Sequence, residues 1–193
     1  MIFLSVSVFL LIIYVWLILY YKKAWNKVPD FEIYQKVDEL SLPFISVIIA
    51  ARNEEKNIGS CVRSILNQTY PSAKFELIIT DDHSTDKTVE AIHSFKDERI
   101  RVLHLSDFAE GRELNSHKKK SIETAIGFAK GEMIVTTDAD CIAQKRWLET
   151  LGNFYSKESP VFVAMPVKFE NPKITDSFFT RFFKVFQSLD FMS

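Results

Sequence analysis

Met133-Ile134-Val135-Thr136-Thr137-Asp138-Ala139-Asp140 is the stretch on which the reading of this chain turns. Its apolar, β-branched opening predicts a buried strand over Met133 to Thr137, closed by an acidic pair. Side chains of a strand alternate between faces, so positions i and i+2 share a side and the two carboxylates are presented together. Hard divalent cations such as Mg²⁺ and Mn²⁺ take oxygen ligands and bridge carboxylates to substrate phosphates. A plainer role also fits the stretch alone, because acidic residues at strand ends serve as turn formers. The upstream sequence separates the two.

Ile45-Ser46-Val47-Ile48-Ile49-Ala50 predicts a first buried strand. Over Glu54 to Asn67, the apolar residues Ile58, Cys61, Val62, Ile65 and Leu66 fall on one face of a helix, which Tyr70-Pro71 ends. Glu76 to Thr80 predicts a second strand, followed by Asp81-Asp82. Ser84 or Thr85 is the expected cap of the next helix, with Asp86 near its positive end and Val89, Ile92 and Phe95 facing inward. A third strand is expected over Arg99 to Leu105. A third helix is expected over Ser121 to Lys130, with Ile122, Ala125, Ile126 and Ala129 inward and Gly131 as its stop. Alternating strands and helices imply an α/β fold with a parallel sheet and right-handed crossovers. Such sheets bind ligands beyond the carboxyl ends of their strands. Glu54, Asp81-Asp82 and Asp138-Ala139-Asp140 follow three different strands, which points to one polar rim.

The amino terminus has a different character. Ile2 to Tyr21 carry no charge and have the length of a membrane span, with Lys22, Lys23 and Lys27 just after it. Tyr14, Trp16, Tyr20, Tyr21 and Trp25 gather at the same end, as interfacial anchors do. A cleavable signal peptide would want a basic residue before the apolar run and a small-residue cleavage site, and neither is present. Residues 1–22 therefore read as a retained transmembrane anchor, 23–44 as a juxtamembrane linker punctuated by Pro29 and Pro43, and 45–193 as the domain. The flanking lysines predict a single-pass protein of the cell membrane with its domain in the cytoplasm. Twenty-four basic against 25 acidic residues leave a net charge of −1, which argues against a nucleic-acid partner. Cys61 and Cys141 are too few for a disulfide framework, and the four histidines show no zinc spacing, so surface or core roles are expected for them.

Several of these stretches resemble one known pattern. Ser46 to Glu54 with Ser64-Ile65-Leu66-Asn67-Gln68-Thr69-Tyr70-Pro71 is similar to the opening of the family-2 glycosyltransferases. Glu76 to Asp86 resembles their second-strand signature, with His83 where glycine or asparagine is usual. Lys118 to Ala125, Gly131-Glu132 and Asp138-Ala139-Asp140 complete the order. The resemblance spans about residues 45 to 168. It implies a GT-A nucleotide-diphospho-sugar transferase fold, a mostly parallel sheet flanked by helices, and a nucleotide-sugar donor. It also implies that Ala50 and Glu54 line the nucleoside pocket, that Asp82 accepts a hydrogen bond from the base, and that Lys118 faces the donor. Asp138 would lie by the ribose or metal, and Asp140 would hold a divalent cation, Mn²⁺ or Mg²⁺. Asp138 and Asp140 are thereby the catalytic candidates, and a lipid-linked or glycan acceptor at the membrane is the expected partner. Each position has a plainer alternative: core for Ala50, a helix-start carboxylate for Glu54, a solvated face for Lys118 within Lys118-Lys119-Lys120. Asp81 reads as a turn residue.

The resemblance also implies an acceptor-side base in an acidic pair well after Asp140. Between Cys141 and Ser193, however, Glu149, Glu158, Glu170, Asp176 and Asp190 stand alone. The expectation is therefore a nucleotide-binding half whose acceptor half lies beyond Ser193, the alternative being an inactive, membrane-anchored nucleotide-sugar binder. Phe178, Phe179, Phe182, Phe183, Val185, Phe186 and Leu189 predict an aromatic helix that packs on further protein or lies in the membrane interface. A haloacid-dehalogenase-type phosphatase also uses Asp-x-Asp, but on its first strand and with Thr or Val at the place of Ile142.

Overall fold

The computed structural model describes residues 2–27, 38–108, 117–165 and 167. Helix α1 runs over Ile2–Trp25. At about 1.5 Å per residue it is long enough, and apolar enough from Phe3 to Ala24, to cross a bilayer. This helix and residues 38–159 belong to separate compact units. The linker segment 28–37 and the aromatic stretch from Phe178 onward lie outside the described residues.

In the second unit, strands β1 (Ile45–Ala51), β2 (Phe75–Asp81), β3 (Ile100–His104) and β4 (Met133–Asp138) form one parallel sheet of order β3-β2-β1-β4. Helices α2 (Ile58–Leu66), α3 (Thr88–His93), α4 (His117–Ile126) and α5 (Trp147–Glu158) join or follow the strands. Every residue of β2 is buried, as are Ile45, Val47, Ile48 and Ile49 of β1, so both faces of the central strands are covered. One face is a cluster of Ile48, Ile78, Leu103 and Ala125, with Phe108, Ile122 and Ala129 against it, which seats α4 on the sheet. α2 buries Ile58, Cys61, Val62 and Ile65 and packs with α3.

Two helix expectations need correction, and one helix was not expected. α2 starts at Ile58, because Glu54 to Asn57 form a turn in which the Glu54 carbonyl accepts from the N–H groups of Asn57 and Ile58. α4 starts four residues earlier than expected, at His117, and ends at Ile126, where a turn through Gly127 takes over. Ile126 is consequently exposed rather than inward. α5 had no counterpart in the sequence reading; its buried Leu148 and Leu151 anchor it.

A polar cluster locks the far edge of the sheet. Ser46 pairs across from Glu76 in the β1–β2 register and donates to its carboxylate at 2.7 Å. The Lys130 N–H also donates to Glu76, at 2.7 Å, and Gly131 N–H donates to Ser46 Oγ at 2.8 Å. All four groups are satisfied at the entry to β4, as buried polar groups require.

Candidate functional site

β2 and β3 extend to one side of β1 and β4 to the other, so the strand order reverses between β1 and β4, where Ala50 lies opposite Asp138. A cleft of about 360 Å³ opens at this carboxyl edge. Ala50, Glu54, Asp82, Lys118, Asp138 and Asp140, the six residues singled out from the sequence, all line it. Arg52, His117 and Ser121 line it as well, and sequence reasoning had not assigned them.

The loop after β1 is held by the loop after β2. Asn53 adopts the left-handed region at φ 54, which asparagine tolerates, and its side chain accepts from Thr85 N–H at 2.9 Å. The Asn53 N–H donates to Ser84 Oγ at 3.1 Å, and Glu54 N–H to Thr88 Oγ1 at 2.7 Å. Ser84 and Thr85 thus brace the β1 loop instead of capping α3, while Asp86 accepts from Thr88 N–H at the helix start. Asn57 Nδ2 fixes the Glu54 carboxylate from 2.9 Å. Asp81 behaves as the turn residue expected: it accepts from Ser84 N–H at 3.2 Å and lies 3.4 Å from His104.

Asp82 is the buried carboxylate of the site, 5% exposed. His83 and His117 both approach its Oδ1 through Nδ1, at 3.0 Å each, and Arg52 lies 3.5 Å from Oδ2. Burial pushes the carboxyl pKa up, but the two imidazole hydrogen bonds and the charges of His117 and Arg52 outweigh it and hold the group below its ordinary value. The histidines therefore have a partner that their spacing in the chain did not reveal.

Asp138 and Asp140 are exposed, with Ala139 buried between them. Lys118, on the first turn of α4, places Nζ 2.7 Å from Asp138 Oδ1. The acidic pair is felt beneath it: burial, then the charges of Cys141, Asp140, Asp138 and Glu54, push the Cys61 thiol up to about 12. The donors here are hard carboxylate oxygens in a region of negative potential, which fits a divalent cation of the Mg²⁺ or Mn²⁺ type. Behind the pair, Gln68 ties the chain together: Nε2 donates to Gln144 O at 2.8 Å, and Oε1 accepts from Leu148 N–H at 2.9 Å. Thr69 Oγ1 donates to Glu149 at 2.9 Å. The stretch Gln68-Thr69 thus anchors the segment that follows Asp140.

Comparison with known proteins agrees with this architecture. A beta-monoglucosyldiacylglycerol synthase of Nostoc sp. is 31% identical over 159 residues, 81% of this chain and 32% of that protein. A mannosyltransferase from Pyrobaculum calidifontis, solved with GDP-Man and Mn²⁺, superposes with a TM-score of 0.54 at 29% identity, over 74% of this chain and 40% of that one. TarS of S. aureus in complex with UDP gives a TM-score of 0.50 at 25% identity, over 60% of this chain and 32% of that one. The chain spans about a third of the length of the synthase. The parallel sheet flanked by helices is that of the GT-A fold, as the sequence implied. The sequence model of glycosyl transferase family 2 matches residues 46–191, and the chain belongs to that family.

Proposed function

We propose that this protein serves glycosyl transfer from a nucleotide-sugar donor to a lipid-linked or glycan acceptor, at the cytoplasmic face of the membrane. The observation that carries the proposal is the convergence of Glu54, Asp82, Lys118, Asp138 and Asp140 on one cleft at the switch point of the sheet. The relatives support it: one is a glycolipid synthase by name, and two were solved with nucleotides bound. The apolar run of α1, closed by Lys22 and Lys23 in its last turn, supports the membrane placement and its orientation.

Asp82 and Glu54 bind the nucleoside on the β1–β2 side, and Ala50, with its small side chain, leaves room at the cleft floor. Asp138 and Asp140 would hold a divalent cation, with Lys118 leaving Asp138 to meet phosphate oxygens. When bound, that cation supplies charge neutralisation for the departing diphosphate. The rigid rim orients the donor for displacement at its anomeric carbon by an acceptor hydroxyl. Calorimetry with UDP and GDP, with and without Mn²⁺ or Mg²⁺, tests the proposal. Binding is expected to require the ion, and Asp140→Asn to abolish that requirement. Unchanged ion-dependent binding in the variant removes Asp140 from its role.

A further inference from the structure

His83 and His117 come from different elements, the turn after β2 and the first residue of α4. Both nevertheless aim Nδ1 at one atom, Asp82 Oδ1, at 3.0 Å each. A carboxylate held only by hydrogen bonds is served as well by donors spread over its two oxygens. Here one oxygen and two imidazole nitrogens converge, all within 4.8 Å of one another. In a tetrahedral zinc site, bonds of about 2.0–2.2 Å set neighbouring ligand atoms about 3.3 Å apart, so each nitrogen need withdraw from the oxygen by only a few tenths of an ångström. The Asp82 side chain is 7% exposed but both imidazoles are 46% exposed, so the rings form the solvent side of the cluster, by which an ion enters. The rings meet edge to face with centroids 6.2 Å apart, which sets their directions in advance. His83 keeps its place at φ 57, where glycine has no steric cost and a side chain does.

We propose that Asp82, His83 and His117 form a second metal site, for Zn²⁺ or an ion of its class, and that an ion bound there shuts a nucleotide out of the cleft. The exclusion rests on the cleft being a nucleotide site; the metal site does not. Two imidazoles and one carboxylate make a borderline-soft donor set that suits Zn²⁺, whereas Mg²⁺ selects oxygen. The cluster is thus distinct in preference from Asp138 and Asp140, whose side chains offer oxygen alone. An ionised carboxylate only accepts, so without an ion both Nδ1 atoms carry their hydrogens. With the ion, each neutral ring turns its Nδ1 lone pair to the metal and keeps its hydrogen on Nε2. Three protein ligands leave the fourth tetrahedral position to water. Asp82 and His117 line the cleft, so the ion and an incoming nucleoside contend for the same carboxylate. An oxygen that coordinates Zn²⁺ has less electron density to offer an N–H, and the ion's water fills space beside it.

The test is calorimetric titration of Zn²⁺ into the untagged, detergent-solubilised full chain in excess Mg²⁺, with Co²⁺ as a visible-absorption probe of geometry. One Zn²⁺ per chain is expected, and Co²⁺ in its place should show the strong d–d absorption of a four-coordinate ion. His83→Gly and His117→Gln should each weaken Zn²⁺ binding by about tenfold or more, at least the effect of losing a group that merely orients a ligand. Glycine fits φ 57 at position 83 and glutamine is a good helix former at 117, so both variants should melt normally without Zn²⁺. Equal Zn²⁺ affinity in wild type and both variants, or binding that excess Mg²⁺ abolishes, overturns the site. The second arm is nucleotide binding in Mg²⁺. One equivalent of Zn²⁺ should weaken binding of UDP or GDP at least about tenfold in wild type, the worth of one hydrogen bond to a charged group, and leave the double variant unaffected. Zn²⁺ bound at the site with no effect on the nucleotide overturns the exclusion. A chain that binds Zn²⁺ through these residues but neither nucleotide supports the metal site and overturns the reading of the cleft.

Discussion

Lys118 Nζ lies 2.7 Å from Asp138 Oδ1, joining the first turn of α4 to the end of β4 across the cleft. The two side chains are 62% and 57% exposed, so the pair contributes little to folding, less than about 1 kcal/mol. Lys118→Met should accordingly leave the melting temperature nearly unchanged. Nucleoside diphosphate affinity, measured by calorimetry, should fall roughly tenfold or more, as for a lost charge-assisted contact. A variant that melts early but binds normally would show the pair to be structural.

Asp82 ties stability to pH. Its folded pKa lies below the ordinary 3.8, so the stabilisation is complete above that value and is lost as pH falls through the folded one. Asp82→Asn removes the charge at every pH. The melting-temperature gap between wild type and Asp82→Asn should therefore be widest above about pH 5 and shrink toward pH 3. A gap of constant size across that range would show that the carboxylate charge is not what His83 and His117 stabilise.

Gly131 is a packing constraint remote from the cleft. A Cβ there would meet the Ser46 backbone nitrogen, Ser46 Oγ at 2.8 Å and the Met133 carbonyl at 2.9 Å. Two of the three obstacles are backbone, so relief requires moving β1 or β4. Gly131→Ala should cost about 1–3 kcal/mol in urea denaturation, the usual penalty of overpacking. A neutral result would mean that the entry to β4 yields more easily than its hydrogen bonds to Ser46 and Glu76 suggest.

The orientation proposed for α1 is open to chemical labelling. A cysteine introduced by Ser41→Cys, in the exposed turn Glu39–Ser41, should react with a membrane-impermeant maleimide only after cells are permeabilised. The native cysteines set a low background: Cys61 is buried with its thiol pushed up to about 12, and Cys141 is raised by burial as well. Labelling of position 41 on intact cells would reverse the topology.

What the sequence alone determined is local and periodic. The β-branched runs of β1, β2 and β4, the inward face of α2 and the acidic residues after each strand are patterns within a few residues, set by side-chain alternation and by the 3.6-residue turn. Alternating strands and helices then place Glu54, Asp82, Asp138 and Asp140 at one edge by topology. Helix starts were less legible: Glu54 stands outside α2, with its N–H donating to Thr88 at the start of α3. α4 begins at His117 although the Lys118-Lys119-Lys120 run has no apolar period to mark a helix. The tertiary structure alone decided which distant polar groups meet. Ser46 finds Glu76 through strand register, and His117 reaches Asp82 across 35 residues of chain. Lys118 reaches Asp138, and the Ser121 hydroxyl is buried beside the cleft without a partner among the described residues. Such pairings depend on how crossover helices dock on the sheet. Docking is driven by nondirectional apolar burial, such as that of Ala125 against Ile48 and Ile78, and the sequence signals that burial without naming the polar neighbours it brings together.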